Sequence, residues 1–160
     1  MRVGTRTQLA RKWGPQGHRP KAVVKLGYEF THLFVAIAPF TGEVFAMFLP
    51  ALNQECFQLF GQEFEQGLTA KTLLVADRAT AHQQKLLHAE RIVLAHIPAA
   101  SPELNPVERF FQELRRRLAF KVFDSIEQAQ QTVEKELKFF FGNPQLVTSI
   151  TIYPYLSNTS

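Results

Sequence analysis

The chain has 160 residues, of which 46% are hydrophobic and 20% charged, so one folded domain is the prior and a disordered chain is excluded. It holds a single cysteine, Cys56, which excludes an internal disulfide, and no apolar run reaches the length of a membrane span. The formal net charge of +4 suits a polyanionic partner but, as many basic proteins bind nothing acidic, shifts the balance only slightly.

In chain order, Met1 to Lys12 carry Arg2, Arg6, Arg11 and Lys12 with no apolar stretch behind them, which is not the pattern of a secretory leader and points to the cytoplasm. Residues 21–27 and 31–38 are rich in Val, Leu, Phe and Ile and read as strands. Pro39-Phe40-Thr41-Gly42 interrupts the run, and Glu43 to Leu49 resumes it as the second arm of a hairpin, with Gly42 free to take a turn conformation. Asn53 can cap a helix that places Phe57, Phe60 and Phe64 on one face and ends near Gly67.

Lys71 to Ala76 reads as a short buried strand ending at Asp77, His82 to Ala89 as a helical piece, Ile92 to Ile97 as another strand and Pro98 to Pro106 as a loop. A helix is predicted from Pro106 to about Phe120. A second starts near Asp124, with Glu127 completing a capping box, and stops at Gly142. The expected organisation is a domain of residues 1–145 followed by an irregular tail, 146–160. An antiparallel meander followed by alternating strands and helices is mixed α/β, and fits a ribonuclease-H-like sheet flanked by helices.

Two acids stand out. Asp77 sits where the apolar strand Leu73-Leu74-Val75-Ala76 ends, and catalytic groups collect at the carboxyl ends of strands in open α/β sheets. Capping of the following helix explains it equally well. Glu108 follows Asn105-Pro106-Val107, where Asn105 is a good N-cap, Pro106 suits the first helical position and Glu108 falls at the third. Taken alone, capping explains Glu108 better than catalysis does. Thirty residues separate the pair, enough for one helix, one strand and a loop, so the second acid can return to the same end of the sheet. Phosphodiester cleavage uses such carboxylates to hold two divalent ions that stabilise the attacking and leaving oxygens. There is no Cys or His pair at zinc spacing and no Gly-rich phosphate loop, so neither zinc nor a nucleotide cofactor is implied.

The strings Ala76-Asp77-Arg78-Ala79-Thr80-Ala81-His82 and Ser101-Pro102-Glu103-Leu104-Asn105-Pro106-Val107-Glu108 resemble the two hallmark blocks of DDE transposases, within the mariner-like superfamily and the bacterial insertion sequences of the IS six-thirty type. Arg78 stands where that family usually has Asn. Trp13-Gly14-Pro15-Gln16-Gly17-His18-Arg19-Pro20 is similar to the family's Trp-Pro-Gly-Pro turn. The resemblance implies an enzyme that cuts transposon ends and joins them to target DNA with two Mg²⁺ or Mn²⁺ ions, acting as a homodimer on DNA at the bacterial nucleoid. It assigns Asp77 and Glu108 as the second and third metal-binding acids.

The family's first acid lies on a first strand, just ahead of the segment that Met1 to Arg11 resembles. Glu29 and Glu43 lie in hairpin turns, the wrong context for it. The expectation is therefore a sheet lacking its first strand, with two unpaired edges. Buried unpaired backbone groups cost about 1–3 kcal/mol each, and a chain left with them is expected to be marginally stable and aggregation-prone. His82 serves either the site or a local hydrogen bond, and Asn105 serves the cap before the loop. Arg78, Arg109, Arg115, Arg116, Arg117 and Lys121 are candidates for phosphate contacts, weighed against a solvated helix face. Trp13 is a candidate for stacking on DNA, weighed against packing. The competing readings are an inactive remnant or DNA-binding regulator, and another ribonuclease-H-like nuclease or integrase.

Overall fold

The meander starts earlier than the apolar runs predict. In the computed structural model, which describes residues 1–11, 16, 21–77, 90–98, 101 and 104–152, three antiparallel strands form one sheet in the order β1 (Arg2–Gly4), β2 (Phe30–Ala38), β3 (Glu43–Leu49). The expected strand over 21–27 is absent. The Thr5 N–H donates to the Glu29 carbonyl (3.0 Å) and the Thr7 N–H to the Lys25 carbonyl (3.1 Å), so the pairing slips by two residues between them. The Lys25 N–H turns instead to the Thr7 hydroxyl (2.9 Å). A regular ladder needs one constant register, so residues 25–29 lie along residues 5–7 as an irregular ribbon.

β2 and β3 pair from His32↔Leu49 to Ala38↔Glu43. Gly42 closes this hairpin at φ 76°, a left-handed conformation that side chains rarely adopt. A Cβ there would also stand 2.0 Å from the Pro144 carbonyl oxygen, so the hairpin tip packs directly on the chain end of the domain.

Side chains of β2 alternate between two faces. Phe34 and Ala36 join Leu49, Phe45 and Met47 beneath helix α1 (Gln54–Gln66), whose buried face is Cys56, Phe57 and Phe60, with Phe64 packed against it. Asn53 caps α1 as expected, its side-chain oxygen accepting from the Cys56 N–H (2.9 Å). The same cluster takes in Ile92, Leu74 and Leu94 from a second sheet, the parallel pair β4 (Thr72–Ala76) and β5 (Ile92–His96). One helix therefore covers strands of both sheets.

The opposite face of the first sheet packs against α2 (Pro106–Leu118), α3 (Ile126–Phe141) and α4 (Pro144–Thr151). Val3 and Leu33 meet Phe110, Phe111, Leu114, Val133, Leu137, Phe140 and Val147 there, with Val35, Ile37, Val44, Ala46 and Phe48 packed alongside. The outcome is a helix–sheet–helix sandwich.

Three boundaries differ from expectation. α2 stops at Leu118 because Phe120 lies at φ 62°, where its N–H donates to the Gln8 carbonyl (2.9 Å) instead of continuing the helix. α3 is capped by Ser125 rather than Asp124. The Ser125 hydroxyl accepts from the Gln128 N–H (3.2 Å) and the Gln128 side chain accepts from the Asp124 N–H (2.7 Å), so Gln128 takes the reciprocal role assigned to Glu127. Residues 146–151 belong to α4 rather than to an irregular tail. Their apolar spacing buries Val147 and Thr151 completely, and the Thr151 hydroxyl donates to the Val147 carbonyl (2.8 Å). Among the described residues no helix is long and apolar enough to cross a membrane.

Candidate active site

Parallel pairing brings two chain exits to one edge. Ala76 lies opposite His96, and the Ile97 N–H donates to the Ala76 carbonyl (3.0 Å), so β4 and β5 end side by side. Asp77 is the next residue after β4 and is exposed at that edge. From β5 the chain runs through Ile97 and Pro98 to Ser101, Leu104 and the cap of α2, which carries Glu108 in its first turn. Both candidate acids thus follow the carboxyl ends of adjacent parallel strands, where open α/β sheets gather their chemistry.

The first turn of α2 decides what Glu108 is free to do. Asn105 caps it, but its side-chain oxygen accepts from the Val107 N–H (3.1 Å), one residue short of the reciprocal arrangement expected from the sequence. The Glu108 N–H is satisfied by the Asn105 carbonyl (3.0 Å). No side-chain hydrogen bond holds the Glu108 carboxylate among the described residues, and it is half-buried. The capping box that made this acid a structural residue does not form.

Glu108 instead faces the start of β1. The Met1 amine donates to the Leu33 carbonyl (2.7 Å), and the Leu33 N–H returns a bond to the Met1 carbonyl (2.7 Å), which extends the β1–β2 ladder by one pair. Burial is the main reason the Met1 ammonium pKa falls from 8.0 to about 6. Within that net fall the Arg115 charge acts in the same direction as burial, and the Glu108 carboxylate opposes both. Arg115 lies two turns along α2 from Glu108, on the same face. Its guanidinium carbon stands 5.9 Å from the Phe111 ring centroid. Glu108, Arg115 and the head of β1 therefore share one electrostatic environment.

The remaining cations on and just after α2 have other work. Arg116 makes a two-pronged pair with Glu113 (2.7 and 2.7 Å). Arg117 bonds Glu113 (3.0 Å) and Glu136 (3.2 Å) and lies over the rings of Phe139 (4.4 Å) and Phe140 (4.8 Å). Lys121 bonds Glu136 (3.2 Å). Together they form an ionic chain that clamps α2 to α3. Arg109 donates to the Ile152 carbonyl (3.3 Å) and so ties α2 to the end of α4. The spacing of Glu113 from Arg116 and Arg117, three and four residues on one helix, carries the signal for part of this chain. The share of Glu136 could not be seen, because it comes from another helix. Trp13, Arg78 and His82 lie outside the described residues.

The donor chemistry fits a hard divalent cation in kind, since both acids offer carboxylate oxygens of the sort that Mg²⁺ and Mn²⁺ prefer. Among the described residues no group of three or more His, Cys, Asp and Glu side chains converges.

The family model for the DDE superfamily endonuclease matches residues 1–130, and the chain belongs to that family. The chain is 32% identical over 106 residues to the uncharacterized protein y4pE/y4sA of Sinorhizobium fredii (strain NBRC 101917 / NGR234), covering 61% of this chain and 77% of that protein. Among solved structures it is similar to the Mos1 transposase paired-end complex with left transposon end, at TM-score 0.68 and 16% identity over 93% of this chain and 50% of the Mos1 chain. It is also similar to the Mos1 mariner paired end complex with Mn, at TM-score 0.62 and 15% identity over 96% of this chain and 54% of the other. The chain spans about half the length of the Mos1 chains it matches. At such identities the likeness is one of fold, the ribonuclease-H-like α/β fold expected from the order of elements.

Proposed function

We propose that this chain is the catalytic domain of a cut-and-paste DNA transposase, of the mariner-like bacterial insertion-sequence type, in which Asp77 and Glu108 hold divalent metal ions. The observation that carries the reading is the state of Glu108: its carboxylate is half-buried, takes no part in the cap of its own helix, and lies in the helix that follows the parallel pair whose first strand ends at Asp77. A carboxylate kept in that condition suits a ligand better than a cap. Asn105 holds the first turn of α2 and so sets the direction in which Glu108 leaves it. Asp77 and Glu108 would hold the divalent ions, Mg²⁺ or Mn²⁺, which when bound would supply charge stabilisation for an in-line phosphoryl transfer.

The reaction is hydrolysis at a transposon end, which frees a 3′-hydroxyl, followed by attack of that hydroxyl on target DNA. The partners are therefore both DNAs and a second copy of the transposase, in the cytoplasm at the nucleoid, and no nucleotide cofactor is needed. His82 and Arg78 follow Asp77 closely enough in sequence to assist it, His82 by orienting the site and Arg78 by contacting a phosphate. Arg115 acts on the same Met1 amine as Glu108 and is the better placed of the α2 cations for a phosphate, since Arg116 is already paired with a carboxylate, as is Lys121 just beyond the helix.

Mn²⁺ titration followed by electron paramagnetic resonance tests the assignment. The wild-type chain is expected to bind Mn²⁺, and Asp77→Asn and Glu108→Gln are each expected to weaken binding at least ten-fold while melting as the wild type does. Equal Mn²⁺ binding in all three proteins would remove both acids from the site. Metal binding with no cleavage of end DNA makes the chain a DNA-binding regulator instead.

A further inference from the structure

The ribbon that interrupts the expected meander carries charge that the fold itself does not use. Val3, Thr5 and Thr7 point into the core. The alternating residues Arg2 and Arg6 point away from it, and both are exposed. Opposite them, residues 26–30 turn apolar side chains to solvent: Leu26 is 68% exposed, Tyr28 88% and Phe30 47%. The Arg2 guanidinium lies 4.2 Å from the Phe30 ring centroid. Gly27 lets the two arms approach, since a Cβ there would stand 2.0 Å from the Thr5 hydroxyl oxygen.

Arg116 and Arg117 of α2 are neutralised by Glu113. Arg2 and Arg6 have no ion pair among the described residues. The segments 1–11 and 21–30 hold Arg2, Arg6, Arg11, Lys21 and Lys25 against the single acid Glu29, and of these Lys25 is paired with Asp124 (3.4 Å).

We infer that the outward face of this ribbon is a DNA-binding surface, on which Arg2 and Arg6 meet backbone phosphates and Tyr28 meets an unstacked base or a sugar. It rests on the reading of DNA as the partner but on none of the residues that carry that reading. Unpaired arginines interleaved with exposed aromatic rings are what a strand of nucleic acid requires, because the phosphates need cations and the bases need π-faces. A second copy of the same face fits poorly, since it would bring two positive ribbons together.

Fluorescence anisotropy with a labelled mixed-sequence DNA duplex bearing a single-stranded flank, followed across a salt series without divalent metal, tests the surface. The Arg2→Ala/Arg6→Ala double variant is expected to bind more weakly, with a slope of log K against log salt reduced by about two, since each phosphate contact contributes about 0.9. Tyr28→Ala is expected to weaken binding about ten-fold, on the order of one lost base–aromatic contact, with the salt slope unchanged. Arg6→Lys keeps the charge without touching the Phe30 stack and should retain the slope, which separates a phosphate contact from a folding defect.

Unchanged affinity and slope in the ribbon variants overturn the inference, and if Asp77→Asn still abolishes Mn²⁺ binding, the assignment of the acids survives that failure. If the ribbon variants sediment as monomers where the wild type is a dimer, with DNA affinity per protomer unchanged, the ribbon is a contact between copies and the inference also fails.

Discussion

The two sheets of this molecule are held in different ways. The three-stranded sheet lies against a layer of three helices, where Phe110, Leu114, Ala129, Val133, Phe140 and Val147 are completely buried. The β4–β5 pair is held from the α1 side through Leu74, Ile92 and Leu94, while Leu73 (63%), Val75 and Val93 on its other face are exposed. Asp77 leaves the second sheet, whereas Glu108 stands on a helix of the first half. The two candidate acids thus come from opposite sides of this contrast. Their relative placement depends on α1, which packs on both sheets, and on the connection from β5 to Asn105. Fold stability resides mainly in one half, and the proposed chemistry needs both halves held in register.

The contrast is broken most directly by removing side chains from each half. Phe140→Ala empties a fully buried ring site and is expected to cost about 3–5 kcal/mol, read as a fall in the denaturation midpoint. Leu73→Ala on the exposed face of β4 should stay within about 0.5 kcal/mol of the wild type. Similar losses for the two would mean that the halves are equally packed.

The next largest effect concerns pH at the head of β1. The Met1 ammonium is depressed from 8.0 to about 6 in the folded chain, mainly by burial. The unfolded chain therefore binds more protons between these values. Stability should be fully present above pH 8 and fall as the pH drops through 6, with a ceiling of about 3 kcal/mol for two pKa units. N-terminal acetylation leaves an N–H to donate to the Leu33 carbonyl but no charge to bury, so it should flatten this part of the pH profile. A profile that acetylation leaves unaltered would show that the Met1 amine is solvated.

Asn105→Ala removes the cap of α2 and should cost about 1 kcal/mol in thermal denaturation. It should also lower Mn²⁺ affinity, because the first turn that aims Glu108 loosens. Loss of stability with no change in metal affinity would confine Asn105 to the cap. The smallest effect belongs to the clamp between α2 and α3. Hydrogen bonding from Arg116 first, then from Arg117, holds the Glu113 carboxyl below its usual range. Its contribution is present above the unfolded carboxylate range and is lost as the pH falls through the folded value. Glu113→Gln should flatten this acid limb, with a difference from the wild type at neutral pH that shrinks as salt is added.

Much of this was legible in the sequence where local rules decide the outcome. The cap at Asn53, the aromatic face of α1, the β2–β3 hairpin with its left-handed Gly42 and the Asn105-Pro106 start of α2 all follow from neighbours a few residues apart. Asp77 was marked by its position after an apolar run, and the structure places it at the end of β4. Residues 21–27 misled because their Val and Leu content describes a strand, yet the register slip against residues 5–7 prevents a ladder. The C-terminal stretch misled in the other direction: its apolar spacing was too short to stand out, and α4 is a helix because Val147 and Thr151 find a buried site.

The sequence by itself determined the order of most elements, their caps and the two acids at their spacing, because each of these depends on residues close along the chain. Only the tertiary structure decided that Arg2–Gly4 is the strand beside β2, that Glu136 completes the clamp begun by Glu113, and that Glu108 is left out of its own cap. Those outcomes depend on partners far apart in sequence, or on which of two nearby N–H groups a single side chain reaches, and neither is set until the layers have packed.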